Sequence, residues 1–277
     1  LHAGTATTLY GLYYTGLDSN GSLQSGGSLD ANWNVTYAST NGGSSQNSTY
    51  KGDAYVVDPD FVTSVAWVQN TAHAQWITAP GALDNSNSTY NSGGSYLPGN
   101  GTASGYGNEG IYIYTLAFTI AGTGTGTVTN HVSISLTIAA DDQAKIYINP
   151  SGNGTTLPTA TAAATIGAGA WDNTESITLA NYTDNAAGIT NNSTFKIGTN
   201  YLVVAVYNTN AISGYSSSTS WNASGFMMYQ VGSVAVINGV PVPEIAPWMP
   251  VAAALALYGA LLLYRRYRQA SHRQASC

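Results

Sequence analysis

Along this chain apolar residues recur at every second position in short runs, and clusters of Gly, Ser and Asn separate the runs. Residues 131–139 show it most clearly. Val132, Ile134, Leu136 and Ile138 face one way and Ser133, Ser135 and Thr137 the other, the period of a half-buried strand. Asp141-Asp142-Gln143 interrupts that pattern and residues 145–149 resume it, which predicts a hairpin. Trp33, Val35 and Tyr37 alternate with polar residues in the same manner. Residues 7–17 predict a first strand, closed by the turn Asp18-Ser19-Asn20-Gly21. Residues 110–120 are apolar on both faces and predict a central strand. Short strands are expected at 54–57, 176–179, 195–197, 201–207, 226–231 and 233–237, with residues 67–80 mostly irregular.

No amphipathic helix interrupts this series, and two long connections, 84–108 and 150–172, stand out as insertions rich in small residues. The pattern predicts an all-β fold: a two-layer antiparallel β-sandwich of jelly-roll type over residues 9–238, with residues 1–8 as an N-terminal remnant.

The pattern changes after residue 238. A Pro-rich segment, 239–247, leads into 17 uncharged, mostly apolar residues, 248–264, and then into Arg265, Arg266 and Arg268. At about 1.5 Å per residue such a helix reaches about 25 Å, the short end of what spans a hydrocarbon core of about 30 Å. Arginine collects on the cytoplasmic side, so 248–264 is expected to be a transmembrane helix and 265–277 a basic cytoplasmic tail. Residues 1–238 are then expected outside as an ectodomain, and the chain is expected to be an exported precursor.

Composition narrows the function. Only 7% of residues are charged, so solubility rests on Ser, Thr, Asn and Gly, while 20 Tyr and 6 Trp supply a core. Twelve of the thirteen acids precede residue 200, where the only Lys or Arg residues are Lys51, Lys145 and Lys196. Such a surface has no patch to neutralise phosphates, which excludes nucleic acid as a partner. The single cysteine is Cys277, so the ectodomain has no disulfide.

The chemical inventory is short. There is no Gly-x-Ser-x-Gly elbow, no His-Glu-x-x-His and no cysteine cluster, so serine-hydrolase and zinc chemistry lack their residues. His73 and His131 stand apart from any partner in sequence. Asp58/Asp60 and Asp141/Asp142 sit in turns that favour Asp in any case, whereas a glycosidase needs two carboxyls facing each other across a cleft. No catalytic residue is assigned, and the chain is read as non-enzymatic. Saccharide binding uses aromatic rings among amides and hydroxyls. Tyr90, Tyr96, Tyr106, Trp171 and Trp221 lie in Asn- and Ser-rich loops and are the glycan-binding candidates, while Trp33 and Trp76 are expected in the core. Ten Asn-x-Ser/Thr sequons, among them Asn34, Asn87, Asn181 and Asn222, are what so polar a composition produces.

Val242, Pro243 and Glu244, the apolar run 248–264 and Arg265, Arg266 and Arg268 together resemble the PEP-CTERM sorting signal of bacterial surface proteins. Ile245 stands where that motif usually has its second proline. The resemblance implies an exosortase-type processing enzyme as a partner and delivery to the cell surface or extracellular matrix, with the membrane as a second partner before processing. Upstream, LYYTGLDSNG, DANW, AYVVD, QWITAP, IYIYTLAFTI, IAADDQAKIYIN and FKIGTNYLVVAVYN follow one another between residues 9 and 208. That order looks like exported bacterial proteins with a galactose-binding-like β-sandwich in front of such a signal. Domains similar to this one often hold a structural calcium, for which Asp18, Asn20, Asp30, Asp141 and Asp142 are the candidate ligands; no other cofactor is expected. Three functions follow: a surface or matrix protein associating with extracellular polysaccharide, a lectin-like module with a defined sugar pocket, or a glycan-active hydrolase.

Overall fold

The computed structural model describes residues 5–18, 20–38, 51–57, 62, 67–79, 110–154, 156–167, 169–208, 224–229, 236–237 and 240–241. Residues 1–242 form one compact unit; residues 243–277, a second unit, lie outside the described residues, and with them the expected membrane helix 248–264. No helix among the described residues is long and apolar enough to cross a membrane.

The described fold is all-β, as the alternation predicts. In chain order the strands are β1 (Thr5–Tyr10), β2 (Leu29–Ala38), β3 (Lys51–Val56), β4 (Ile77–Thr78), β5 (Gly110–Thr123), β6 (Val132–Asp141), β7 (Gln143–Ile148), β8 (Ala164–Ile166), β9 (Glu175–Ala180), β10 (Gly198–Asn208), β11 (Gly225–Tyr229), β12 (Val236–Ile237) and β13 (Val240–Pro241). β1 begins four residues before the expected start of the domain. Gly11, at φ +76°, turns the chain out of β1 well short of residue 17.

All thirteen strands belong to one antiparallel sheet that nearly closes like a barrel. The path runs β13-β12-β6-β11-β4-β3-β2-β5-β10-β7-β8, with β1 added to β5 and β9 added to β6. β8 and β9 end the two sides of the opening, where the Gly167 N–H donates to the Glu175 carboxylate at 3.0 Å. The two-residue β4 joins the halves, pairing with Tyr55 and Val56 on one side and Phe226 on the other.

The interior is where alternation sends the large side chains. Val132, Ile134, Leu136 and Ile138 of β6 are all buried in one cluster with Tyr112, Tyr114, Leu116 and Phe118 of β5 and Leu202, Val204 and Val206 of β10. Phe226 crosses the interior and meets Trp33 edge-on at 5.1 Å and Tyr114 at 4.8 Å. Each buried aliphatic of this kind contributes about 1.5–3 kcal/mol, which is how the fold holds without a disulfide. β5 is central, as expected. β10 pairs with it from Gly110 to Ile120 along one edge, and β2 and β1 share the other.

Two expectations are corrected. β6 and β7 do not form a hairpin. β6 pairs with β9, β11 and β12, and β7 with β10 and β8. Asp141-Asp142 is instead a corner where the chain leaves one half of the sheet for the other, because β10 offers β7 a long apolar edge. Residues 150–172 are also more than an insertion. They supply β8, and Leu157 and Ala162 cover Ile111, Ile113, Val203 and Ala205 on the outer face of β5 and β10.

Candidate functional site

The second outer cluster sits on β6 and β11, where Ala139 and Met227 point away from the interior. Residues 67–76 cover it. Trp67 and Trp76 stack at 4.1 Å with 24° between their planes, and both are buried. Each indole is held by its own N–H: Trp76 donates to the Val68 carbonyl at 2.7 Å, and Trp67 to Asp141 Oδ2 at 2.8 Å. Gly225 makes the approach possible. A Cβ there would stand 2.8 Å from the Ile77 carbonyl oxygen and 3.2 Å from the Trp67 ring.

Asp141 thus joins the corner to the Trp pair. Burial first, then the hydrogen bond and charge of Asp142, pushes its carboxyl well above the usual carboxylate range; the Trp67 N–H pulls the other way.

Trp171 lies at the edge of this cluster. It packs against the core made by Trp67 and Trp76 and is only partly buried. Its turn is fixed from two sides: the Ala140 N–H of β6 donates to the Ala170 carbonyl at 3.2 Å, and the Val68 N–H to the Trp171 carbonyl at 2.7 Å. Gly169, at φ +88°, permits the bend. Asp172 and Asn173 follow, both exposed, with Asn173 Nδ2 donating to Asp172 Oδ1 at 2.7 Å. A partly buried tryptophan next to an exposed carboxylate and amide offers the groups that stack the apolar face of a sugar ring and bond its hydroxyls.

The other expected sites divide as follows. Tyr90, Tyr96, Tyr106 and Trp221 lie outside the described residues, as do Val242, Pro243, Glu244, Arg265, Arg266 and Arg268. Trp33 and Trp76 are fully buried, as expected. His73 is exposed in a turn closed by the Thr71 hydroxyl, which accepts from the N–H groups of His73 and Ala74. His131 is exposed and stacks on Tyr182 at 4.3 Å. Among the sequons, Asn34 is exposed on β2, whereas the Asn181 side chain is spent on Val132, Val128 and Asn130.

The calcium candidates do not gather into one donor set. Asp18 Oδ1 already accepts from the N–H groups of Asn20 and Ser22, the first hydrogen bonds of an Asx turn, and the Ser22 contact leads in holding its carboxyl below the usual value. Asp30 is fully buried and accepts from Gly16 N at 2.8 Å and Asn32 N at 3.1 Å. Among the described residues no three His, Cys, Asp or Glu side chains gather where they could hold a metal.

The Trp67–Asp141 contact joins residues 74 positions apart and has no local signature. The one signal in the sequence is the acidic pair that ends the cleanest strand. No protein-family model, no curated protein and no solved structure matches this chain.

Proposed function

We propose that this chain is an exported, non-enzymatic cell-surface or extracellular-matrix protein, sorted through residues 242–268 and associated with extracellular polysaccharide. The observation that carries the reading is the order Val242-Pro243-Glu244, apolar 248–264, then Arg265, Arg266 and Arg268. The place of that motif adds support. The compact β unit ends at Val242, one residue after the last strand, so a cut beside Glu244 would spare every strand of the barrel. A barrel stabilised by its apolar interior also suits an oxidising exterior and needs no cysteine.

The two walls of the sheet, joined through β4 and packed through Phe226, support reading the barrel as a flattened sandwich of jelly-roll, galactose-binding-like type. Saccharide association draws support from Trp171, the one glycan candidate among the described residues. Intact-mass analysis of the protein at the cell surface tests the sorting reading. A C-terminus near Glu244 is expected; a surface population that still ends at Cys277 would make 248–264 a plain anchor.

A further inference from the structure

We infer that the Trp171-Asp172-Asn173 turn is a saccharide-binding site, selective for glycans that carry no acidic groups. The inference rests on the polysaccharide association proposed above and names where that association is made and which sugars it accepts.

Three observations converge on the turn. The first is preorganisation. Backbone bonds from Ala140 and Val68 hold the two carbonyls of Ala170 and Trp171, and the Gly167–Glu175 bond closes the base of the loop. An aromatic platform fixed before binding loses little freedom when a ligand arrives, which matters most for weak, shallow sugar contacts.

The second is chemistry. Trp171 packs against the Trp67/Trp76 cluster and is only partly buried. A pyranose offers C–H groups on one face to such a ring. Its vicinal hydroxyls, around the edge, need paired acceptors and donors. Asp172 and Asn173 provide both, and their mutual 2.7 Å hydrogen bond sets them side by side.

The third is charge. The two segments that form the site, 67–76 and 167–175, contain Asp172 and Glu175 and neither Lys nor Arg. A uronic acid or sulfated sugar would bring a like charge against Asp172 and Glu175, and neither segment carries a Lys or Arg to receive it, whereas a neutral or N-acetylated sugar meets no such penalty.

The test uses the full chain in mild detergent on an array of neutral hexose, N-acetylhexosamine and uronic acid oligosaccharides. Affinities for the hits are then measured by quenching of tryptophan fluorescence. Binding to members of the first two classes and none to the third is expected. Trp171→Ala should weaken that binding at least about tenfold. Because Trp171 also packs on the core, the exposed pair Asp172→Ala/Asn173→Ala serves as the second variant; it should keep the wild-type unfolding midpoint and bind about tenfold more weakly. Wild-type affinity in both variants would overturn this site while leaving polysaccharide association to another surface. Preference for uronic acid glycans would overturn the charge argument. A chain that binds nothing on the array would overturn the proposed association itself.

Discussion

Asp30 is a carboxylate enclosed by the fold, and its proton is measurable. The residue is the second of β2 and has no exposed surface, and its two oxygens hold the N–H groups of Gly16 and Asn32. Burial is the leading influence and pushes the carboxyl up to about 6 against the opposing pull of those hydrogen bonds. In the unfolded chain the same group titrates near 3.9. The folded protein therefore holds this proton more tightly. Its contribution to stability is complete below about pH 4 and is lost as pH rises through about 6. A difference of about two pH units corresponds to about 3 kcal/mol.

Asp30→Asn removes the titration. Its amide can still accept from Asn32, but an N–H now faces the Gly16 N–H, a loss that does not depend on pH. Urea unfolding of both proteins in mild detergent, followed by tryptophan fluorescence from pH 4 to pH 7.5, separates the two effects. The wild-type advantage over Asp30→Asn should shrink by about 2–2.5 kcal/mol across that range, the rest of the effect lying below pH 4. A difference that stays constant would mean that the carboxyl is open to solvent. A wild-type advantage that grows with pH would mean that the two N–H donors outweigh burial.

Trp67→Phe keeps the stack on Trp76 but deprives Asp141 of its indole donor; a loss of about 1–3 kcal/mol is expected in denaturant unfolding. Removing that donor should also move the Asp141 titration further upward, readable by carboxyl-carbon NMR. Gly225→Ala drives a methyl against the Ile77 carbonyl and the Trp67 ring and should cost about 1–3 kcal/mol, seen as a lower melting midpoint; an unchanged midpoint would refute the close packing. Chelation should leave the melting midpoint where it is, since among the described residues no three His, Cys, Asp or Glu side chains gather to hold a metal; a fall on adding chelator would show a bound cation.

Strand content was readable wherever one face of a strand meets the interior and the other meets water or small residues. The β6 alternation placed Val132, Ile134, Leu136 and Ile138 on the buried side without knowledge of any partner. β5 was readable as central because apolar residues on both faces need cover on both. The hairpin expected at Asp141-Asp142 failed for the complementary reason. Two strands adjacent in sequence need not be neighbours when each finds a longer edge elsewhere, and a turn sequence does not say which edge that is. Residues 150–172 read as an insertion because small residues carry no periodic signal, yet Leu157, Ala162 and Trp171 pack on the outer faces.

Local physics, then, was enough for the all-β class, the cysteine-free apolar interior and the tripartite pattern after residue 241, since each depends on residues near one another in the chain. Which strands pair, how nearly the sheet closes and where Asp141 meets Trp67 were decided by tertiary structure alone. Those features depend on contacts between distant segments whose competing edges have similar local character, and only packing of the whole barrel selects among them.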